Sequence, residues 1–491
     1  LPAPCERPAP AGRSTGRWLG LGWIGLGALA TLALLWWCCR AVPVFGEDEA
    51  HLAVVANWSS PWPAFGFDLQ PPRPLQWTLL WSLQTWAARS PAMARLPAFA
   101  LQSAAIVLVL LWLRRLRVSR WPTAFAVGLL LAAPTQVNLV WLVAVTYPLR
   151  AIATLLAAMA CWRHAQQPRP VTGLLMLLAF VVALLAHEGG IALLLPLLLA
   201  GGLLHGTDGW RRARRDPWTW LLLVSACWRT AEILWWRPGA FYGVRSAGAI
   251  AANAVRAVLD YLPYAVREPW LDLLRGTHGC LPQALGLAAF AAVVVLLVLW
   301  FCRAAPVERF CLLIVATEPL PAVLSVGLDV RYLEVAMPFF AVAVACALQR
   351  TGAPTGRWLQ AASAVLLLGW TIDSMAVVGT IRRAGSALLQ ITELVRMARD
   401  HADLDATIVV ADLPEFFGDR DVPFLAFGAR RLLVRHGCQE PLRLLRTRAY
   451  RSMTDIELVG PAGWQSLLQQ PPGPVLQFDP ASSRLVVRAG W

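Results

Sequence analysis

Long apolar runs separated by short polar turns dominate the first 380 residues, and at several places the run is long enough to cross a bilayer, which takes about 20 residues per helix. Spans are predicted near 18–40, 94–113, 121–141, 146–162, 170–186, 188–205, 216–234, 283–302, 307–326, 332–349 and 357–380. The fold class that follows is a polytopic α-helical membrane protein with about 11 transmembrane helices. The first run is too long for a signal-peptide core and lacks a small-residue cleavage site, so it reads as a retained signal anchor. Beyond 381 the hydropathy drops, and DATIVVADLPEFF reads as a buried strand followed by a turn. Two domains are therefore expected: residues 1–380 in the membrane, and 381–491 as a small outer α/β domain. There is no evident internal repeat or low-complexity tract.

Charge decides the orientation of these spans. The 491 residues are 58% hydrophobic and carry 43 basic against 29 acidic side chains, a formal net charge of +14. Every basic residue is an arginine, a bias that suggests a GC-rich, bacterial genome. The arginines gather in alternate short turns: Arg13 and Arg17; Arg114, Arg115, Arg117 and Arg120; Arg163 and Arg169; Arg211, Arg212, Arg214 and Arg215; Arg303 and Arg309; Arg350 and Arg357. With alternating spans all these groups fall on one side, which the positive-inside rule makes cytoplasmic. The N-terminus is then inside, the C-terminus outside, and the chain sits among the lipids of the cytoplasmic (inner) membrane. The charge reports topology and does not call for a nucleic-acid partner. Of the ten cysteines most lie within apolar runs, where they act as small hydrophobes. Cys280 and Cys438 fall in expected outer segments, which allows one disulfide and requires none.

The expected outer loops hold the candidate chemistry. The first, 41–93, carries GEDEAH and contains PLQWTLLWSLQTWAA, in which Trp77, Trp81 and Trp86 are spaced to form an apolar or interfacial stripe on a helix too short to span, expected to lie in the interface. The second, 235–282, has WWRPGAFYGVR near its start. Asp48 and Glu49 are placed to open a helix, since carboxylates favour a helix N-terminus, and capping alone would account for them. Arg229 and Glu232, three apart on one helix, are expected to pair. Arg150 and Arg331 stand at the outer starts of two spans; arginine inside an apolar run is costly and points to function, although snorkelling, or a pairing of Arg331 with Asp329 or Glu334, also accounts for such positions. His187 and Glu188 lie at an outer hairpin that can equally be a plain loop. Asp373 has no assigned role.

GEDEAHLAVV resembles the Asp-Glu motif in the first outer loop of the GT-C glycosyltransferases, in particular their protein mannosyltransferase and aminoarabinose transferase branch. PPRPLQWTLLW stands where those proteins often carry a Pro-Pro-Leu segment, and RLPAFALQSAAIVLVLLWLRRL looks like their second span. LLAHEGGIALLLPLLL occupies the place of a Lys-Gly-Pro segment and its following helix, and RYLEVAMPFFAVAVACAL is similar to their Arg-Tyr-Leu-x-x-x-x-Pro span. The resemblance covers about residues 18–380. Two departures, His51 for an aromatic residue and His187-Glu188 where lysine is common, bear on the sugar and the acceptor more than on the reaction.

The resemblance implies a glycosyltransferase that moves a sugar from a polyprenyl-phosphate carrier to a lipid, glycan or protein acceptor on the outer face of the membrane. Such a reaction needs a general base for the acceptor, the role expected of Asp48, with Glu49 positioning it. The phosphate needs cations, for which Arg150 and Arg331 are the candidates, with Tyr147 and Tyr332 beside them. His51, His187 and Glu188 are the expected substrate contacts. The resemblance fixes no cofactor, while a divalent metal held by Asp48 or Glu49 with His51 or His187 fits their donor chemistry. The sequence has no Walker-type loop or dinucleotide fingerprint. Two other classes stay open: a transporter or flippase of a lipid-linked saccharide, which would place its ionisable groups near the midplane, and a non-catalytic envelope scaffold.

Overall fold

The computed structural model describes residues 14–44, 46–66, 73–133, 138–235, 298–318, 320–321, 333–350, 355–403, 405–414, 429–435, 438, 441–447, 456–479 and 484–490. The expected span at 283–302, apart from its last residues, lies outside these. So do the loop from 236 onward with Cys280, and Asp329, Arg331 and Tyr332.

Most of the described apolar runs form helices. In chain order these are α1 (Ser14–Cys39), α2 (Gly46–Val55), α3 (Pro74–Arg89), α4 (Pro91–Arg115), α5 (Arg120–Ala132), α6 (Thr146–Gln166), α7 (Pro170–Ala186), α8 (Leu194–Arg215), α9 (Pro217–Trp235), α10 (Pro306–Thr317), α11 (Leu333–Arg350) and α12 (Thr355–His401). Proline is the first residue of α3, α4, α7, α9 and α10, where its missing N–H costs nothing and its fixed φ suits the first turn. Four segments among the described residues are long and apolar enough to cross a membrane: Gly22–Cys39, Pro91–Arg115, Leu142–Gln166 and Glu188–Arg215. The third is 83% buried and the first only 17%, so α6 stands in the middle of the bundle and α1 on its rim. Around α6 pack α4, α7, α8 and α11, with a core that includes Trp112, Leu113, Phe180, Phe310 and Phe339.

Four expectations need correction. The run at 121–141 is not one helix: α5 stops at Ala132, and its 13 residues span about 20 Å, short of a hydrocarbon core of about 30 Å. Ala133 has φ −59° and ψ 139°, the extended conformation forced on a residue that precedes proline, here Pro134. The Ser374 hydroxyl donates to the carbonyls of Ala132 and Ala133, closing the helix end. The run at 188–205 begins as a 3₁₀ turn, Glu188–Leu193, and α8 passes the run's end only by folding back at Gly206, whose φ of 58° is a glycine conformation. The last run does not stop near 380, because α12 continues for 47 residues, about 70 Å. Finally, the three tryptophans of α3 do not form one stripe: Trp77 is buried at 2% exposure and Trp86 is 46% exposed, since nine residues make about two and a half turns and bring Trp86 to the opposite face.

After α12 the chain forms β1 (Ile408–Ala411), α13 (Ala429–Arg435), β2 (Leu442–Arg446), β3 (Glu457–Leu458), α14 (Pro461–Gln469), β4 (Val475–Asp479) and β5 (Arg484–Ala489). They build a five-stranded sheet of order β3-β2-β1-β4-β5. β1 runs parallel to both β2 and β4, and β5 closes the edge antiparallel to β4. All four residues of β1 are buried, as a strand covered on both faces requires. Ile391, Val395 and Ala398 from the last turns of α12 join Ile408, Val410 and Leu476 in one apolar cluster, so the long helix carries the bundle's packing directly into the sheet. Cys438 is a free, buried thiol in that cluster.

Candidate active site

The acidic helix α2 is the first element after α1. Just before it, Arg95 of α4 donates to the carbonyls of Val42 at 2.6 Å, Pro43 at 2.8 Å and Val140 at 2.7 Å. One buried guanidinium therefore ties the entry to α2 to the stretch that leads into α6, satisfying carbonyls that neither segment could pair alone. Asp48 follows from this clamp. Its side chain is fully buried, and Oδ1 accepts the backbone N–H of Val143 at 2.9 Å. Val143 belongs to a 3₁₀ turn, Leu142–Val145, that leads directly into α6. Asp48 also lies within the electrostatic field of Arg95.

α6 then presents Tyr147 and Arg150. From Val143 to Arg150 the rise is roughly 12 Å by helix geometry, so the acidic and basic candidates occupy one end of the bundle. Arg150 is buried at 1% exposure, donates from Nη2 to the Gly189 carbonyl at 2.7 Å and forms an ion pair with Glu318 at the end of α10. Neither Nε of Arg150 nor Oε1 of Glu318 has a hydrogen-bond partner among the described residues. A Cβ on Gly189 would fall 2.7 Å from Nη1 of Arg150, so a larger residue there would have to push the guanidinium aside. The Tyr147 ring lies 5.1 Å from that of His187, whose Nδ1 accepts the Gly189 N–H at 3.0 Å.

Glu188 is held from the other side. Arg73, the residue before α3, grips it with both arms of the fork, Nε to Oε2 at 2.7 Å and Nη2 to Oε1 at 2.5 Å. Both side chains are largely buried, at 13% and 12% exposure. The first long loop is thereby pinned to the turn between α7 and α8. His51, one helical turn beyond Asp48, stacks on Trp77 at 5.3 Å. On a further side Asn138 donates to Glu334 at the start of α11 at 3.3 Å, and α13 packs against α2.

Of the sequence candidates, Asp48, Tyr147, Arg150, His187 and Glu188 are thus joined through bonds and ring contacts that run from α2 to α6 and the turn at 187–190, with His51 one turn along α2. Glu49 is on α2, but its side chain lies outside the described residues, as do Arg331 and Tyr332. No group of three or more His, Cys, Asp or Glu side chains gathers into a metal cage among the described residues.

Sequence reasoning missed Arg73, Arg95 and Glu318. Each carried a signal: Arg95 and Glu318 are single charges within apolar stretches, AMARLPAFA and LLIVATEPL, which on a membrane helix require partners. Arg73 sits within PPRP, a segment already notable for its prolines. Arg229 and Glu232 of α9 do pair, as their spacing predicts.

No protein-family model matches the sequence, and no curated protein matches it. Among solved structures, the chain is similar to ArnT from Cupriavidus metallidurans, solved bound to undecaprenyl phosphate, with 14% identity over 93% of this chain and 92% of that one and a TM-score of 0.47.

Proposed function

We propose that the chain is a membrane-embedded glycosyltransferase of the GT-C type, which takes a sugar from a polyprenyl-phosphate carrier and transfers it to a lipid, glycan or protein acceptor at the outer face of the cytoplasmic membrane. The observation that carries the reading is the burial of Asp48 and its bond to Val143, which fix a carboxylate beside the helix bearing Tyr147 and Arg150. Capping of α2 would need no partner from the α5–α6 connection. The transporter reading loses ground for the same reason, because the ionisable groups converge at one end of the bundle.

In this mechanism the acceptor's hydroxyl or amine attacks the anomeric carbon, the bond from that carbon to the phosphate oxygen breaks, and polyprenyl phosphate leaves with the bonding electrons. The acceptor's proton passes to Asp48, whose Oδ1 accepts the Val143 N–H and so holds the carboxylate in place. Arg150, with Arg331, meets the charge that develops on the leaving phosphate. Glu318 keeps Arg150 oriented when no phosphate is present, at the cost of an ion pair that the donor must displace. Glu49 and Glu188, His51 and His187 contact sugar or acceptor, and Arg73 holds Glu188 in place. After α12, α13 packs against the acidic helix.

The reading is tested with purified protein in lipid, supplied with a polyprenyl-phosphate sugar and an envelope extract as acceptor. Release of polyprenyl phosphate with a matching mass gain on an acceptor supports it. Movement of the intact lipid-linked sugar across the bilayer without cleavage would replace it with the flippase reading. Mass spectrometry of envelope glycolipids and glycoproteins from a deletion strain would then name the donor and acceptor.

A further inference from the structure

A largely apolar cavity with arginines in its lining lies at the opposite end of the bundle, on the side where the arginines gather. It encloses about 390 Å³ between α6, α7, α8 and α9, a size typical of small-molecule sites. Its existence depends on the fold-back of α8. Gly206 turns the chain, and the segment beyond it returns so closely that a Cβ on Gly209 would overlap the carbonyl of Gly201. That return carries Arg211, Arg212, Arg214 and Arg215. Arg212 and Arg215 line the cavity mouth, and Met176, Leu197 and Leu222 line its apolar depth.

Among the described lining residues the one carboxylate, Asp216, is already engaged. Asp216 Oδ2 meets His164 Nε2 at 3.1 Å, and the other nitrogen of that ring meets Thr172 Oγ1 at 2.9 Å. Asp216 also receives the N–H of Trp218 and the hydroxyl of Thr219, each at 3.4 Å. Its charge is spent on closing the α6–α7–α9 corner, so the mouth stays cationic. Trp210 and Trp220 stand exposed beside it at 41% and 58%, and the Trp220 indole donates to the Arg214 carbonyl at 3.0 Å. Tryptophans of this kind favour the headgroup layer of a membrane, which sets the depth of the cavity at the level of lipid phosphates.

We propose that this cavity binds the phosphate of an anionic phospholipid from the arginine-rich leaflet, with the headgroup phosphate between Arg212 and Arg215 and the first carbons of the lipid against Met176, Leu197 and Leu222. Basic pockets between membrane helices suit such headgroups, and an apolar floor distinguishes a lipid from a water-soluble phosphate, which would have nothing to place there. The inference stands apart from the transferase reading, since it concerns the other end of the bundle.

The test uses the full chain, purified, stripped of lipid, and followed by native mass spectrometry and thermal unfolding. Phosphatidylglycerol is expected to bind roughly tenfold or more tightly than phosphatidylcholine, because the attraction of two arginines for an anionic headgroup adds up to more than one decade in affinity. The double variant Arg212→Gln/Arg215→Gln loses that preference. Arg211→Gln keeps it, because Arg211 is exposed, faces Asp208 at 3.7 Å and lies outside the cavity. Leu198→Trp, which fills the apolar end, weakens phosphatidylglycerol binding through a different residue and so guards against misfolding of the double variant. Equal retention of the two lipids, a preference that survives the double variant, or an equal loss with Arg211→Gln overturns the proposal. Displacement of the lipid by glycerol phosphate at similar concentration overturns it too, by assigning the site to a soluble phosphate.

Discussion

Asp48 accepts the backbone N–H of Val143 across 95 residues of sequence, at 2.9 Å and out of contact with solvent. The bond joins the acidic helix to the segment that launches the most buried helix of the bundle. It separates two roles for one carboxylate, since an amide can replace it as a hydrogen-bond acceptor but not as a base. Asp48→Asn is therefore expected to keep the unfolding temperature near that of the parent while lowering sugar transfer by about 10²- to 10⁴-fold, the usual worth of a general base. Asp48→Ala leaves the Val143 N–H without its acceptor and is expected to cost about 1–3 kcal/mol of stability as well. An asparagine variant that transfers sugar at the parental rate would remove Asp48 from the chemistry.

Arg150 and Glu318 form a pair with almost no solvent contact, 2% and 0% of the two side chains being exposed. Removing one member strands the other charge, so Arg150→Met or Glu318→Met alone is expected to cost about 3–5 kcal/mol. The double substitution restores most of that loss, because two buried charges are exchanged for apolar volume. Transfer activity separates from stability here: the double variant folds but binds the polyprenyl-phosphate donor poorly. A double-mutant cycle on unfolding, together with donor binding by the same proteins, measures both.

The Arg73–Glu188 fork links the loop before α3 to the turn after α7. Charge-assisted bonds of this kind are worth about 1.5–3 kcal/mol, and the low exposure of both side chains protects them from screening. Arg73→Gln is expected to loosen the first loop, seen as faster amide exchange in α2 and α3, with little change in α9. Uniform exchange across all these helices would mean that the pair holds nothing in place.

Gly206 adopts φ 58° and ψ −134° inside α8, a region open essentially to glycine alone. Gly206→Ala is expected to destabilise by about 1–3 kcal/mol. Because the strain acts on the fold-back, it also weakens lipid retention at the arginine-rich cavity without slowing sugar transfer at the far end.

Burial pushes the Cys438 thiol from an ordinary 9.0 up to about 11. The folded chain thus holds this proton more tightly than the unfolded one, so the group is neutral to stability below pH 9 and erodes it as pH rises from about 9 to about 11. At pH 8 very little thiolate exists, and alkylation of Cys438, read by peptide mass spectrometry, is expected to be slow until the protein unfolds. Rapid modification of native protein at pH 8 would contradict the packing of this thiol against α12.

Sequence alone determined what depends on local, one-dimensional properties. Helix positions follow from apolar run length, helix starts from proline, the buried β1 from a β-branched run, and the Arg229–Glu232 pair from a spacing of three. The acidic motif at 46–51 and the groups at 147–150 and 187–188 also stood out, because charges and aromatics at the ends of apolar runs are conspicuous. Tertiary structure alone decided their partners. That Asp48 meets Val143, that Arg150 meets Glu318, and that Arg73 reaches Glu188 are relations between segments about 95 to 170 residues apart, set by which helices pack together and by how deep each turn lies. The break after Ala132, the reversal at Gly206 and the unbroken length of α12 were hidden for a related reason: hydropathy averages over a window, whereas a single backbone conformation ends or prolongs a helix.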